Sequence, residues 1–286
     1  MNLCDLNTIK ALLARHGFRF SKSMGQNFLI DESVPYDIAE SSGTCEENGV
    51  LEIGPGIGPL TTQLCRRAGK VVSVELDDTL LPILAETMAE FDNFTLVSGD
   101  ILKTDIAALV DEHFAGLQPM VCANLPYNIT TPVLTALLEV KRFSRLTVLI
   151  QKEVAQRISA RPGTADYGYF TVFMQYYTKP ELLFDVPNTC FIPQPKVTSS
   201  VLRCDVRTTP AVELHCPETF FFRTVKAAFA LRRKTLVNSL QTGFSGMDKA
   251  RLTEIVAQCG FEPSVRGEKL TLEEFARLAD ALYAAQ

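Results

Sequence analysis

The chain has 286 residues, 47% of them hydrophobic, and a formal net charge of −5, enough apolar material for one large core and a smaller one. No apolar run approaches the roughly 18 residues of a membrane span, and the opening stretch carries Asp5 instead of a signal-peptide core, so a cytoplasmic protein is expected. Eight cysteines without a C-x-x-C pair and three separated histidines argue against a disulfide framework and a structural metal, leaving most cysteines as small core hydrophobes.

Short β-rich runs alternate with segments of helical period over the first two thirds: "GVLEIG", "KVVSVEL", "FTLVSGD", "MVCANLPY" and "RLTVLIQ". That alternation predicts repeated βαβ units, hence an α/β fold with a parallel sheet covered by helices on both faces. "ELLFDVP" and "SSVLRCDV" read as a late pair of strands joined by the Pro-rich "PNTCFIPQPKV". "RTTPAVELHCPE" carries two prolines and no clear period, which predicts a boundary there: a catalytic domain over 1–207 and a small all-helical domain over 208–286. "ETFFFRTVKAAFALRRKTLVNSL", "DKARLTEIVAQCG" and "TLEEFARLADALYAA" supply its helices. Between 219 and 247, Arg223, Lys226, Arg232, Arg233 and Lys234 stand without an acid. Such a stripe can hold phosphates despite the negative total, because local charge outweighs distant charge within a Debye length of about 10 Å; a solvated helix face is the plainer reading.

In "VLEIGPGIGPLT" a strand runs into Gly54, Gly56 and Gly58 before a helix, a turn that lets backbone approach a ligand and offers free N–H groups. The dinucleotide fingerprint would need glycine at position 59, where this chain has Pro59. Glu75 ends the second strand and can accept from ribose hydroxyls; Asp100 ends the third and can accept from an adenine amine. This order of Gly-rich turn and two strand-end acids resembles the class I methyltransferases, which bind S-adenosylmethionine.

"NLPY", Asn124 to Tyr127, follows the fourth strand and is similar to the loop with which amino-methyltransferases handle their acceptor, Leu125 standing for a proline. An exocyclic base amine is a poor nucleophile while its lone pair is conjugated into the ring. If the Asn124 amide oxygen and the Leu125 carbonyl accept its two N–H bonds, the nitrogen can pyramidalise toward a methyl donor. Pro126 would fix the turn and Tyr127 would stack on the extruded base. The bland alternative is a strand-end turn with Tyr127 as packing.

Five ordered blocks, "KSMGQNFLID" (22–31), "LEIGPGIGPLT" (51–61), "NLPYNITTP" (124–132), "FIPQPKV" (191–197) and "RRKTLVNSL" (232–240), resemble the ribosomal small-subunit RNA adenine N6,N6-dimethyltransferases over nearly the whole chain. The resemblance implies four methyl transfers to two adjacent adenines in a hairpin near the 3′ end of that RNA, in a partly assembled subunit, by a monomer needing no metal. It implies a cofactor set of Asn27, Leu29, Gly54, Gly56, Glu75, Asp100, Ile101 and Asn124. It adds Phe191 as an aromatic stacking on the base opposite Tyr127, with a core phenylalanine as the alternative. The basic stripe would meet RNA phosphates. One departure is Thr198, where the family run has aspartate. Rival readings are the macrolide-resistance type of large-subunit RNA methyltransferase, a non-catalytic ribosome-assembly factor and, more distantly, a NAD enzyme.

Overall fold

The computed structural model describes residues 1–20 and 25–286, so Lys22 to Met24 of the first block lie outside the described residues. In chain order the first elements are α1 (Leu6–Arg15), β1 (Phe28–Leu29), α2 (Ser33–Ser41), β2 (Asn48–Ile53), α3 (Pro59–Cys65), β3 (Lys70–Glu75), α4 (Leu81–Thr87), β4 (Phe94–Ser98), α5 (Ile106–His113), β5 (Gln118–Asn124), α6 (Thr130–Glu139) and β6 (Arg145–Gln151). There follow α7 (Lys152–Ile158), α8 (Tyr169–Tyr177), β7 (Thr178–Val186), β8 (Phe191–Ile192), β9 (Ser199–Val206), α9 (Glu218–Ala228), α10 (Leu236–Leu240), α11 (Lys249–Gln258) and α12 (Leu272–Ala284). None of these helices is long and apolar enough to cross a membrane.

Among the described residues, seven strands form one sheet in the order β4-β3-β2-β5-β6-β9-β7. The first five pair in parallel, as the alternating runs predict, and β9 pairs antiparallel to β6 with Leu149 opposite Val201 and Gln151 opposite Ser199. Every residue of β2 is buried, which is why "GVLEI" reads as a mostly apolar run interrupted only by Glu52: helices cover both faces of a central parallel strand. The edge strand β4 is half exposed throughout most of its length. Strand order reverses between β2 and β5, and ligands of open α/β sheets sit outside the carboxyl ends at such a point.

The chain divides into two compact units, Met1–Ala155 with Glu181–Val206, and Gln156–Pro180 with Arg207–Gln286. The sequence predicts a first domain unbroken from 1 to 207; the first unit ends at Val206, and Gln156–Pro180 groups with the helical unit instead. Tyr167, Val172 and Tyr176 are buried there with Phe221, Val225 and Phe275, and the Tyr167 hydroxyl donates to the Leu270 carbonyl at 2.9 Å. The first helical segment after the boundary also departs from expectation. "ETFFFRTVKAAFALRRKTLVNSL" is two helices, α9 and α10, separated by a turn over 229–235 in which Thr235 is extended (φ −63°, ψ 157°).

Candidate active site

A cleft opens at the carboxyl ends of β2, β3 and β5, beside the residues following β4. Its floor is the Gly-rich turn. Gly54 and Gly56 have φ of +66° and +64°, and a Cβ on Gly56 would stand 3.2 Å from the Phe28 ring, so both the backbone conformation and the space select glycine. α3 starts at once with Pro59, pointing its first turn at the cleft.

The Glu75 carboxylate, almost fully buried, accepts from the main-chain N–H of Asp77 at 2.9 Å and of Gly56 at 3.4 Å. Burial raises its pKa above the ordinary range, against the pull of these N–H donors. Asp100 is half-buried, accepts from the Leu102 N–H at 3.0 Å and faces the Lys103 ammonium at 3.5 Å; Ile101 is buried beside it. All three line the cleft, as do Asn27 and Leu29. Those two belong to a segment crossing the sheet end, held by β1 pairing with β8, Leu29 opposite Phe191. Gln26 donates from Nε2 to Asp77 at 2.6 Å, a tie that sequence reading missed although Gln26 stands in a quoted block.

The loop after β5 is fixed through its backbone. Leu125 N–H donates to the Leu149 carbonyl at 3.1 Å, while the Pro126 carbonyl accepts from Ile129 N–H and from the Thr130 hydroxyl, both at 3.2 Å. Asn124 donates from Nδ2 to the Asn27 carbonyl at 3.4 Å. Its Oδ1 and the main-chain oxygen of Leu125 receive no hydrogen bond among the described residues, and both residues line the cleft. Two neighbouring acceptors thus stand open where an amine with two N–H bonds could enter. Tyr127, at the same wall, bonds through its hydroxyl to Ser199 Oγ at 2.6 Å, and burial raises its phenol pKa.

Phe191 does not take the place expected of it. With 2% of its surface exposed, it packs in the core with Leu29, Val34, Val186 and Val201, so neither ring face is open to a base. The pairing of Phe191 with Leu29 explains the burial, and it is a long-range contact with no local signature.

Glu52, given no role from the sequence, is 1% exposed at the end of β2, and one oxygen accepts from the hydroxyls of Thr61 and Ser73, each at 2.7 Å. Burial lifts its pKa to about 7 in spite of those two donors. The signal was available, since an acid inside the apolar run "VLEIG" has to be buried with partners.

In the helical unit the five basic residues separate into two kinds. The Arg223 guanidinium donates twice to the Gly243 carbonyl and lies 4.7 Å over the Phe244 ring. Arg232 bonds to the Ala165 carbonyl and faces Glu268 at 3.7 Å. Lys226, Arg233 and Lys234 are exposed, and their side chains make no hydrogen bond or ion pair among the described residues. Arg232 to Lys234 lie in the turn between α9 and α10 and not on a helix face.

The profile of the family described as ribosomal RNA adenine dimethylase matches residues 17–282. The chain is 48% identical over 280 residues to the Ribosomal RNA small subunit methyltransferase A of Bacillus mycoides, covering 96% of each chain, and equally to that of Bacillus anthracis. Among solved structures it is similar to a dimethyladenosine transferase from Plasmodium falciparum, with TM-score 0.73, 21% identity, and 87% and 95% of the two chains covered. It is also similar to the 23S rRNA methyltransferase ErmE, with TM-score 0.66, 25% identity, and 90% and 99% covered.

Proposed function

The chain belongs to the ribosomal RNA adenine dimethylase family, and on that premise we propose that it transfers methyl groups from S-adenosylmethionine to N6 of two adjacent adenines in a small-subunit ribosomal RNA hairpin. It is a methyltransferase of small-subunit ribosomal RNA, as its 48% identity to the enzymes of that name supports. The observation that carries the chemistry is the pair of acceptors without a partner among the described residues, Asn124 Oδ1 and the Leu125 carbonyl, on consecutive residues lining the cleft.

The cleft fits the methyl donor. Glycines keep the floor free of side chains, the buried Glu75 carboxylate has main-chain donors only and spare lone pairs, and Asp100 faces the same space. When bound, S-adenosylmethionine supplies a methyl already activated on a sulfonium, which makes a covalent enzyme intermediate unnecessary. Glu75 would hold the ribose hydroxyls and Asp100 the adenine amine, with Ile101 against its ring. Gly54 and Gly56 would pass beneath its methionine part, and Asn27 and Leu29 would close over it.

For the acceptor, Tyr127 stacks on the flipped base and Pro126 holds the turn. Asn124 Oδ1 and the Leu125 carbonyl take the two N–H bonds, freeing the lone pair for in-line attack. Each transfer leaves a cationic methylated nitrogen that loses a proton to solvent; after the first a single N–H remains, which either acceptor can still hold, and after the second none remains and the reaction stops. The exposed Lys226, Arg233 and Lys234 meet RNA phosphates, in a partly assembled subunit and with the protein acting as a monomer in the cytoplasm.

A large-subunit substrate is the second reading, because the fold is shared with ErmE. Purified protein offered undermethylated small subunits and free large-subunit RNA should methylate the former; methylation of the latter alone would overturn the assignment.

A further inference from the structure

We infer that Ser199 is a positioning residue for the methyl transfer, setting the angle of the Tyr127 ring against the target base; this deepens, and rests on, the reading of Tyr127 as the stacking platform. The two residues are 72 positions apart, and their hydroxyls meet at 2.6 Å. Ser199 is fully buried at the first position of β9, opposite Gln151 in the antiparallel pair with β6. Its backbone position is pinned on both sides: the Lys152 N–H donates to the Thr198 carbonyl at 3.0 Å, and the Ser200 hydroxyl donates to Asp185 at 2.6 Å.

The consequence is geometric. At its backbone end Tyr127 belongs to a turn held to β6 and to the start of α6. A tyrosine fixed only there would keep rotation about its side-chain torsions, with a broad second torsion. Tethering the hydroxyl at the far end to a buried strand atom removes that freedom, so the ring face offered to a base is set before the base arrives. A misplacement of about 1 Å at a reacting centre costs up to about 100-fold in rate, so a fixed platform bears on transfer more than on binding. Among the described residues neither hydroxyl has a competing partner, which makes the pair separable by removing either oxygen.

The test is a double-mutant cycle on the full-length protein with undermethylated small subunits: Ser199→Ala, Tyr127→Phe and both together, with Tyr127→Ala as a fourth variant. Each single change should lower kcat about tenfold, with KM for the subunit and S-adenosylhomocysteine affinity unchanged, and the double variant should be no slower than either single one. Multiplying effects in the double variant would overturn the inference, as would a Ser199→Ala protein that melts lower yet keeps its kcat. Tyr127→Phe loses one oxygen from a half-exposed ring and so reports even if Ser199→Ala folds poorly. Wild-type transfer by Tyr127→Ala would instead sink the stacking reading itself, and this inference with it.

Discussion

Asn124 donates its side-chain N–H to the main-chain oxygen of Asn27, 97 positions away, at 3.4 Å. One bond thus joins the loop proposed to grip the target amine to the segment proposed to cover the methyl donor. The NH2 end of the amide faces Asn27, which leaves the oxygen to accept.

Replacing Asn124 with alanine should therefore leave donor binding within a few-fold while lowering methyl transfer by about 100- to 1,000-fold, the range for losing one preorganised polar group. Calorimetry with S-adenosylhomocysteine and single-turnover transfer on undermethylated subunits measure the two separately. A comparable loss in both would make Asn124 a donor-binding residue only.

Glu75→Gln removes the charge while keeping the shape. Hydrogen bonds to an ionised group contribute about 1.5–3 kcal/mol, so S-adenosylhomocysteine affinity should fall about 10- to 100-fold with subunit affinity unaffected. Calorimetry against the same ligand checks it.

Glu52 gives a pH signature of stability. Its folded pKa of about 7 lies above the unfolded value of 4.5. The protonated form is the one the fold prefers, so its contribution is fully present below pH 4.5 and is lost as pH rises through 7. The loss is about 3 kcal/mol, at roughly 1.4 kcal/mol per pKa unit. Glu52→Gln, which can still accept from Thr61 and Ser73, should gain stability over the parent at pH 8 and not at pH 4.5. Urea unfolding at both values reads this out, and a constant difference between the two proteins would contradict it.

The basic residues of the helical unit should differ in whether their loss also affects stability. Arg233→Ala and Lys234→Ala, both exposed, should each weaken subunit binding and reduce the salt dependence of log affinity by about one. Arg232→Ala, which loses its bonds to Ala165 and Glu268, should cost about 1 kcal/mol of stability as well. Filter binding across a salt series and thermal melts distinguish them.

What could be read without coordinates follows from the range of the interactions involved. β2 and β3 were legible because burial on both faces writes itself as consecutive apolar residues. The Gly-rich turn, Glu75 and Asp100 were legible because each ends such a run. Tyr127 and Asn124 sat in one contiguous loop. By contrast, the burial of Phe191 arises from a two-residue strand pair with Leu29, and the placement of α8 in the helical unit from Tyr167 and Tyr176 meeting residues far along the chain. The break after Ala228 was hidden because "FALRRKT" has good helix formers; Leu236 N–H instead donates to the Val265 carbonyl at 2.7 Å, and Ser239 Oγ reaches the Leu231 carbonyl. Local propensity yielded there to tertiary bonds.

The most direct measurement is mass spectrometry of the adenines in small-subunit RNA from cells lacking this protein, complemented either with the natural chain or with Asn124→Ala. Two neighbouring N6,N6-dimethyladenosines restored by the natural chain and absent with the variant are predicted. Dimethylation restored equally by both would show that the amide does not hold the reacting amine.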